Sequence, residues 1–210
     1  IPKYSLCEEL INSITHGAGA LLSVWGLVMI ILKAVETGAM AIVSVCIYGT
    51  TLIMLYTMSC IYHALSPNIT GKKVLRVLDH CNVYMLVLGT IIPVALVGVD
   101  GAAGWVLFGI VTFFTVLGIV FTAIDVDKFK VVAVICHLFN GWGVLAFVKP
   151  LVEHIGKNGL LLTILGGVMY TIGAALYGLG LKKKYMHSVF HFFCLFGSIL
   201  HYLAIYLYVI

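Results

Sequence analysis

Polar and charged residues along this chain fall into short clusters, and between them run apolar stretches of the length, about 18 residues or more, that crosses a bilayer as a helix. Seven such stretches can be drawn, near 11–32, 40–65, 77–98, 102–124, 131–148, 159–181 and 187–210. Their apolar character is continuous. A transmembrane barrel would need short strands that alternate polar and apolar side chains, so the pattern predicts an all-α integral membrane protein, a seven-transmembrane helix bundle. Punctuation residues support these limits. Ser66-Pro67-Asn68 ends the second span, because proline biases its predecessor away from helix. Gly71 opens a basic connection to the third, Asp100-Gly101 turns into the fourth and Pro150 closes the fifth. Pro93 inside the third span predicts a kink toward its outer end. Gly166, Gly167, Gly173, Ala174, Ala175 and Gly178 give the sixth span a small-residue surface for close helix packing. Tyr202, Tyr206 and Tyr208 are placed as interface anchors of the seventh.

Composition strengthens this picture. The chain is 62% hydrophobic and 10% charged, with a mean hydropathy of +1.16, too apolar for a water-soluble domain. The spans use most of residues 1–210, so a single transmembrane domain is expected. Glu8 and Glu9 stand where a secretory leader would be basic, so the first span reads as a retained helix. Basic residues set the orientation. Lys3, Lys72, Lys73, Arg76, Lys128, Lys130 and Lys182 to Lys184 fall on the side of the N-terminus, against Lys33, Lys149 and Lys157 on the other. The expected topology has a cytoplasmic N-terminus and an extracytoplasmic C-terminus, in the cell (plasma) membrane. The net charge of +4 reflects this bias and requires no nucleic-acid partner; anionic inner-leaflet lipids suit the same basic loops. Cys7, Cys46, Cys60, Cys81, Cys136 and Cys194 form no C-x-x-C pair, and buried cysteine behaves as a small apolar residue.

Against so apolar a background, ionisable groups inside spans point to function. Ser59-x-x-x-His63 ends the second span, Asp79 starts the third and His187-x-x-x-His191 starts the seventh. Odd spans start, and even spans end, on the side of the N-terminus, so all of these groups share one leaflet, as do His16 and His137. Residues i and i+4 share a helix face about 6 Å apart along the axis. His187 and His191 can therefore offer two nitrogens to one ion, and His63 a third. Three imidazoles and a water form a four-coordinate Zn2+ site with an open position. Asp79 would hold that water or orient a histidine, and Ser59 would be a hydrogen-bond partner. The competing reading is a polar hydrogen-bond cluster that ties the three helices together without an ion.

The remaining histidines carry weaker signals. His16 lies one turn after Asn12, and interhelical hydrogen bonding is favoured there over ligation. His80 is rotated about 100° from Asp79, so the two cannot face the same ion. His137 reads as a core polar group, His201 as bonded to a neighbouring helix, and His154 as a residue of an outer loop.

Glu8-Glu9-x-x-Asn12-Ser13-x-Thr15-His16-Gly17, Ser59-x-x-x-His63, Leu78-Asp79-His80, Gly141-Trp142-Gly143 and His187-Ser188-x-x-His191 together resemble the bacterial hemolysin III family, itself similar to the progestin and adiponectin receptor group. The resemblance runs through almost the whole chain and implies seven spans with an inward N-terminus. By similarity to adiponectin receptors, it implies zinc on His63, His187 and His191, with Asp79 reaching the ion through water and Ser59 beside it. The long N-terminal region of the animal receptors has no counterpart here, so their hormone and partner interactions do not carry over. A distant link to alkaline ceramidases implies hydrolysis of a lipid amide.

Three functions follow as expectations. The first is a zinc-dependent hydrolase acting on a lipid amide or ester, with Asp79 as base and membrane lipids as substrate or ligand. The second is a membrane regulator or sensor in which zinc is a structural staple. The third is cytolysis, as the family name suggests, although no span carries a charged pore-lining stripe.

Overall fold

A computed structural model describes residues 4–66 and 70–210. Its elements are α1 (Leu6–Thr37), α2 (Ala39–Ala64), α3 (Gly71–Pro93), α4 (Gly101–Ile124), α5 (Lys130–Trp142), α6 (Val148–Gly180) and α7 (Met186–Ala204). π-Helical turns at Val94–Val99 and Ile205–Val209 extend α3 and α7, and a 3-10 turn at Gly143–Phe147 joins α5 to α6. No strand occurs among the described residues. The protein is an all-α membrane protein. The expected stop at Pro67 and Asn68 lies outside the described residues, as does Lys3.

Side-chain exposure follows the logic of lipid rather than water. The face α1 buries is small and polar: Asn12, His16, Gly19, Ser23 and Gly26 recur at helical spacing. Its opposite face leaves Leu21, Trp25 and Leu32 largely exposed. A soluble protein does not tolerate so wide an apolar surface; a bilayer requires it. The inward glycines let large rings approach, Gly19 against Tyr56 and Gly26 against Tyr202. α1 packs along α2, α2 along α3, α3 on α4 and α4 on α5, while α6 packs along α7 and α7 returns to α1. Tyr56 donates to Ser198 Oγ at 2.6 Å, and the Tyr170 and Ser198 hydroxyls are also 2.6 Å apart, which ties α2, α6 and α7 together midway along the bundle.

Six stretches are long and apolar enough to cross a membrane, and the fifth and sixth expected spans share one of them, Lys130–Gly180. A straight helix of that length would be about 75 Å long, more than twice a hydrocarbon core. The chain instead bends at Gly156, whose φ of 66° and ψ of −179° interrupt α6. Trp142 Nε1 donates to Thr171 Oγ1 at 3.0 Å, and its ring also meets Gly167. These partners are nearly symmetric about Gly156, so the two arms double back on each other.

Several expectations need correction. Pro150 does not end the fifth span; it sits in the first turn of α6, where its missing N–H has no helical partner to lose. Lys72, Lys73 and Arg76 do not form a connection but lie in the opening turns of α3, with Lys72 and Arg76 buried. Their charges are matched: Lys72 meets Glu9 and Arg76 meets Asp127. His154 is helical rather than in a loop, and its Nε2 lies 3.4 Å from Val209 O. Tyr202 is not an interface anchor, since its hydroxyl donates to Gly26 O across the α1–α7 contact. Tyr206 does carry the Lys33 ammonium over its ring, and its carbonyl accepts from the same group. Gly178 has open space where a Cβ would stand, so it takes no part in close packing. Pro93 and the turn after it match the expected irregularity, and Asp100 (φ 56°) with Gly101 (φ 57°) makes the tight turn into α4.

Candidate metal centre

The ends of three helices meet at one level of the bundle. His63 lies in the last turn of α2, His187 and His191 occupy the first two turns of α7, and Asn12 and His16 project from α1. All five are buried. Ligand atoms of His63, His187 and His191 lie within 4.8 Å of one another. The Nε2 atoms of His187 and His191 are 3.1 Å apart, close to the separation of about 3.3 Å expected of two nitrogens on one tetrahedral ion. His63 Nε2 is buried with no hydrogen-bond partner among the described residues. A buried orphaned lone pair is costly unless something binds it. Three converging imidazoles, two of them (His63 through Nε2 and His191 through Nδ1) with a buried nitrogen lacking a partner among the described residues, fit a transition-metal ion such as zinc, and this group could hold one.

Asp79 and Ser59 stand beside this group rather than in it. Both line a cavity that His187 and His191 also face. The cavity has a volume of about 210 Å³ and extends between α3, α5, α6 and α7 as far as Ile205. Its walls are mostly Leu, Val, Ile and aromatic side chains, the lining expected of a site for an apolar molecule. At its base Arg76 forms a two-pronged pair with Asp127, at 2.8 and 2.6 Å.

The other histidines are distributed otherwise. His16, expected to be hydrogen bonded, instead stacks on His191 with ring centroids 3.8 Å apart and meets Tyr56 edge-on; neither nitrogen makes a well-formed hydrogen bond. His80 turns to Tyr177, and His137 packs on Tyr84. His201 bonds Thr163 O through Nε2 at 3.0 Å, as expected. All six cysteines are free thiols.

Three groups at the centre escaped sequence reasoning. Glu9 places Oε2 2.6 Å from His63 Nδ1 and Oε1 2.7 Å from Lys72 Nζ. Lys72 also donates to Leu65 O at the end of α2. Tyr4 stacks on His187, centroids 4.7 Å apart. One signal was available: Glu9, Asn12 and His16 fall at i, i+3 and i+7, one face of a helix.

Comparison with known proteins agrees with the motifs. A family described as Haemolysin-III related matches residues 4–202. The chain is 34% identical to Hemolysin-3 of Bacillus cereus over 205 residues, covering 97% of this chain and 92% of the relative. It is 36% identical to the Hemolysin-3 homolog of Bacillus subtilis (strain 168) over 196 residues, covering 93% and 91%.

Proposed function

The chain belongs to the haemolysin III family, and from that premise we propose that it is a zinc-dependent hydrolase of the cell membrane acting on a lipid amide or ester. The observation that carries this reading is the convergence of His63, His187 and His191 beside an apolar cavity that also exposes Asp79 and Ser59. Zinc held by the three imidazoles would supply Lewis acidity to a carbonyl and acidity to a water. This chain's own groups supply the rest. The cavity walls between α5 and α6 receive the acyl chain and exclude bulk water. Asp79, facing the cavity, holds the attacking water, accepts its proton as the water oxygen bonds to the carbonyl carbon, and returns that proton to the amine or alkoxide that departs as the acyl C–N or C–O bond breaks. Ser59, on the wall of the same cavity, orients that carboxylate.

A structural staple would need no such cavity; access from the cavity to His187 and His191 favours chemistry. The lysis named for the Bacillus relatives follows, on this reading, from altered membrane lipid rather than from a pore. We read the doubled-back Lys130–Gly180 stretch as two crossings, which gives seven in all, with the N-terminus in the cytoplasm and the metal centre in the inner leaflet.

The test is purification, zinc analysis and incubation with N-acyl sphingoid and acylglycerol lipids. Wild type should carry zinc and release fatty acid. Asp79→Ala should keep its zinc and lose turnover by about 100-fold or more, the usual scale of general-base catalysis. Unchanged turnover would remove Asp79 as base.

A further inference from the structure

We propose that the first turn of α1 is a clasp that assembles the three-histidine centre, with Glu9 positioning His63 and Glu8 positioning the start of α7, neither carboxylate touching the ion. The inference rests on the metal-site reading above and concerns residues that reading leaves without a role. α1 packs along both α2 and α7, the helices that carry the ligands, and its first turn reaches each of them.

Glu9 acts on the α2 side. A carboxylate only accepts hydrogen bonds, so at 2.6 Å from Glu9 Oε2 the Nδ1 of His63 carries the proton. The lone pair of that ring is then on Nε2, the buried nitrogen without a partner. This is how a ligating histidine is given its tautomer and orientation. Lys72 neutralises the carboxylate through Oε1 and also binds the last turn of α2 through Leu65 O, so Glu9 is held from both ends. An isolated charge at this depth would be costly, and the lysine removes that cost.

Glu8 acts on the α7 side. Its Oε2 accepts from Ser5 N and Oγ at 2.9 and 2.7 Å, closing the capping box of α1. Its Oε1 accepts from Tyr185 N at 2.7 Å. Tyr185 precedes α7, two residues before His187, and its φ of 64° lies in the left-handed region. That conformation is unfavourable for tyrosine, and the bond from Glu8 helps to fix it. Tyr4, on the same segment, stacks on His187. Successive residues of one helix end thus hold both halves of the site.

The experiment is a cobalt(II) titration of the full-length protein in detergent, read by the visible absorption of four-coordinate cobalt, with ¹⁵N spectra of the His63 ring recorded before metal is added. Glu9→Ala should weaken cobalt binding about 10- to 100-fold, the usual scale for losing an outer partner of a ligand, and should release His63 to a mixture of tautomers. Glu9→Gln, whose amide oxygen still accepts from Nδ1, should recover most of the affinity and the single tautomer. Glu8→Ala should weaken binding with the His63 tautomer unchanged, since it acts on α7. If Glu9→Ala does not fold, Glu9→Leu/Lys72→Met removes the acceptor and both charges together and keeps the test open. Wild-type affinity and an unchanged tautomer in Glu9→Ala or in that double variant would overturn the clasp and leave the metal centre standing. A wild type that takes up no cobalt would overturn both.

Discussion

Asp127, in the turn between α4 and α5, shows at the scale of one residue how an exposed group can be tied to a buried one. Its side chain is 70% exposed, whereas that of its partner Arg76 is 11% exposed at the base of the cavity. The bidentate bond from the guanidinium holds the Asp127 carboxyl down at about 2. A carboxyl whose value falls on folding stabilises the protein above its unfolded value, near 3.8, and loses that contribution as the pH falls through its folded value. Asp127→Asn should therefore melt below wild type at neutral pH, and the gap should close between about pH 4 and about pH 2; thermal melts in detergent across that range would check it. A gap that stays constant would mean the carboxylate charge contributes nothing. Residue-level chemistry was only partly legible. His187 and His191 announce themselves by i, i+4 spacing, and chain parity adds His63. Glu9 does not, because its role depends on which side chain lies across the α1–α2 contact, and one sequence does not show that.

At the scale of the element, the Lys130–Gly180 stretch separates what proline and glycine each signal. Pro150 reads as a stop, yet a proline in a first turn costs the helix nothing, and the chain stays helical to Ile155. The bend falls at Gly156, whose φ of 66° and ψ of −179° belong to a region open almost only to glycine. No atom lies within 4 Å of where its Cβ would be, so a substitution is opposed by the backbone alone. Gly156→Ala should cost about 1–3 kcal/mol, seen as a lower Tm. Gly178→Ala, in regular helix with equally open surroundings, should be neutral or stabilise by about 0.5–1 kcal/mol. Equal melting of the two variants would contradict this account of the bend. The long apolar runs made the helices legible. Of their irregular joints, Pro93 and Asp100-Gly101 were legible, whereas the Gly156 bend and the π turn at Ile205–Val209 were not, because they depend on hydrogen bonds and packing that composition does not encode.

For the whole molecule, the legible property was the solvent: so apolar a chain can only be at home in lipid. Orientation rests on fewer charges than the sequence suggests. Lys72 and Arg76 are spent in pairs with Glu9 and Asp127, which leaves, among the described residues on the N-terminal side, Lys73, Lys128, Lys130 and the run Lys182 to Lys184 as cations outside the ion pairs. The proposed seven crossings would put the Gly156 bend and the Lys182–Lys184 turn on opposite sides. In a cysteine-free background, Lys157→Cys should react with a membrane-impermeant maleimide added to intact cells, and Lys183→Cys only after the cells are opened. Labelling of both from outside would refute the seven-span topology.

The central claim is that His63, His187 and His191 hold one metal ion. X-ray absorption at the zinc edge of the purified wild-type protein tests it most directly. The account predicts one zinc per chain, with three imidazole nitrogens at about 2.0–2.1 Å and one further light ligand. A spectrum with sulfur in the first shell, or a protein that holds no stoichiometric metal, would contradict it.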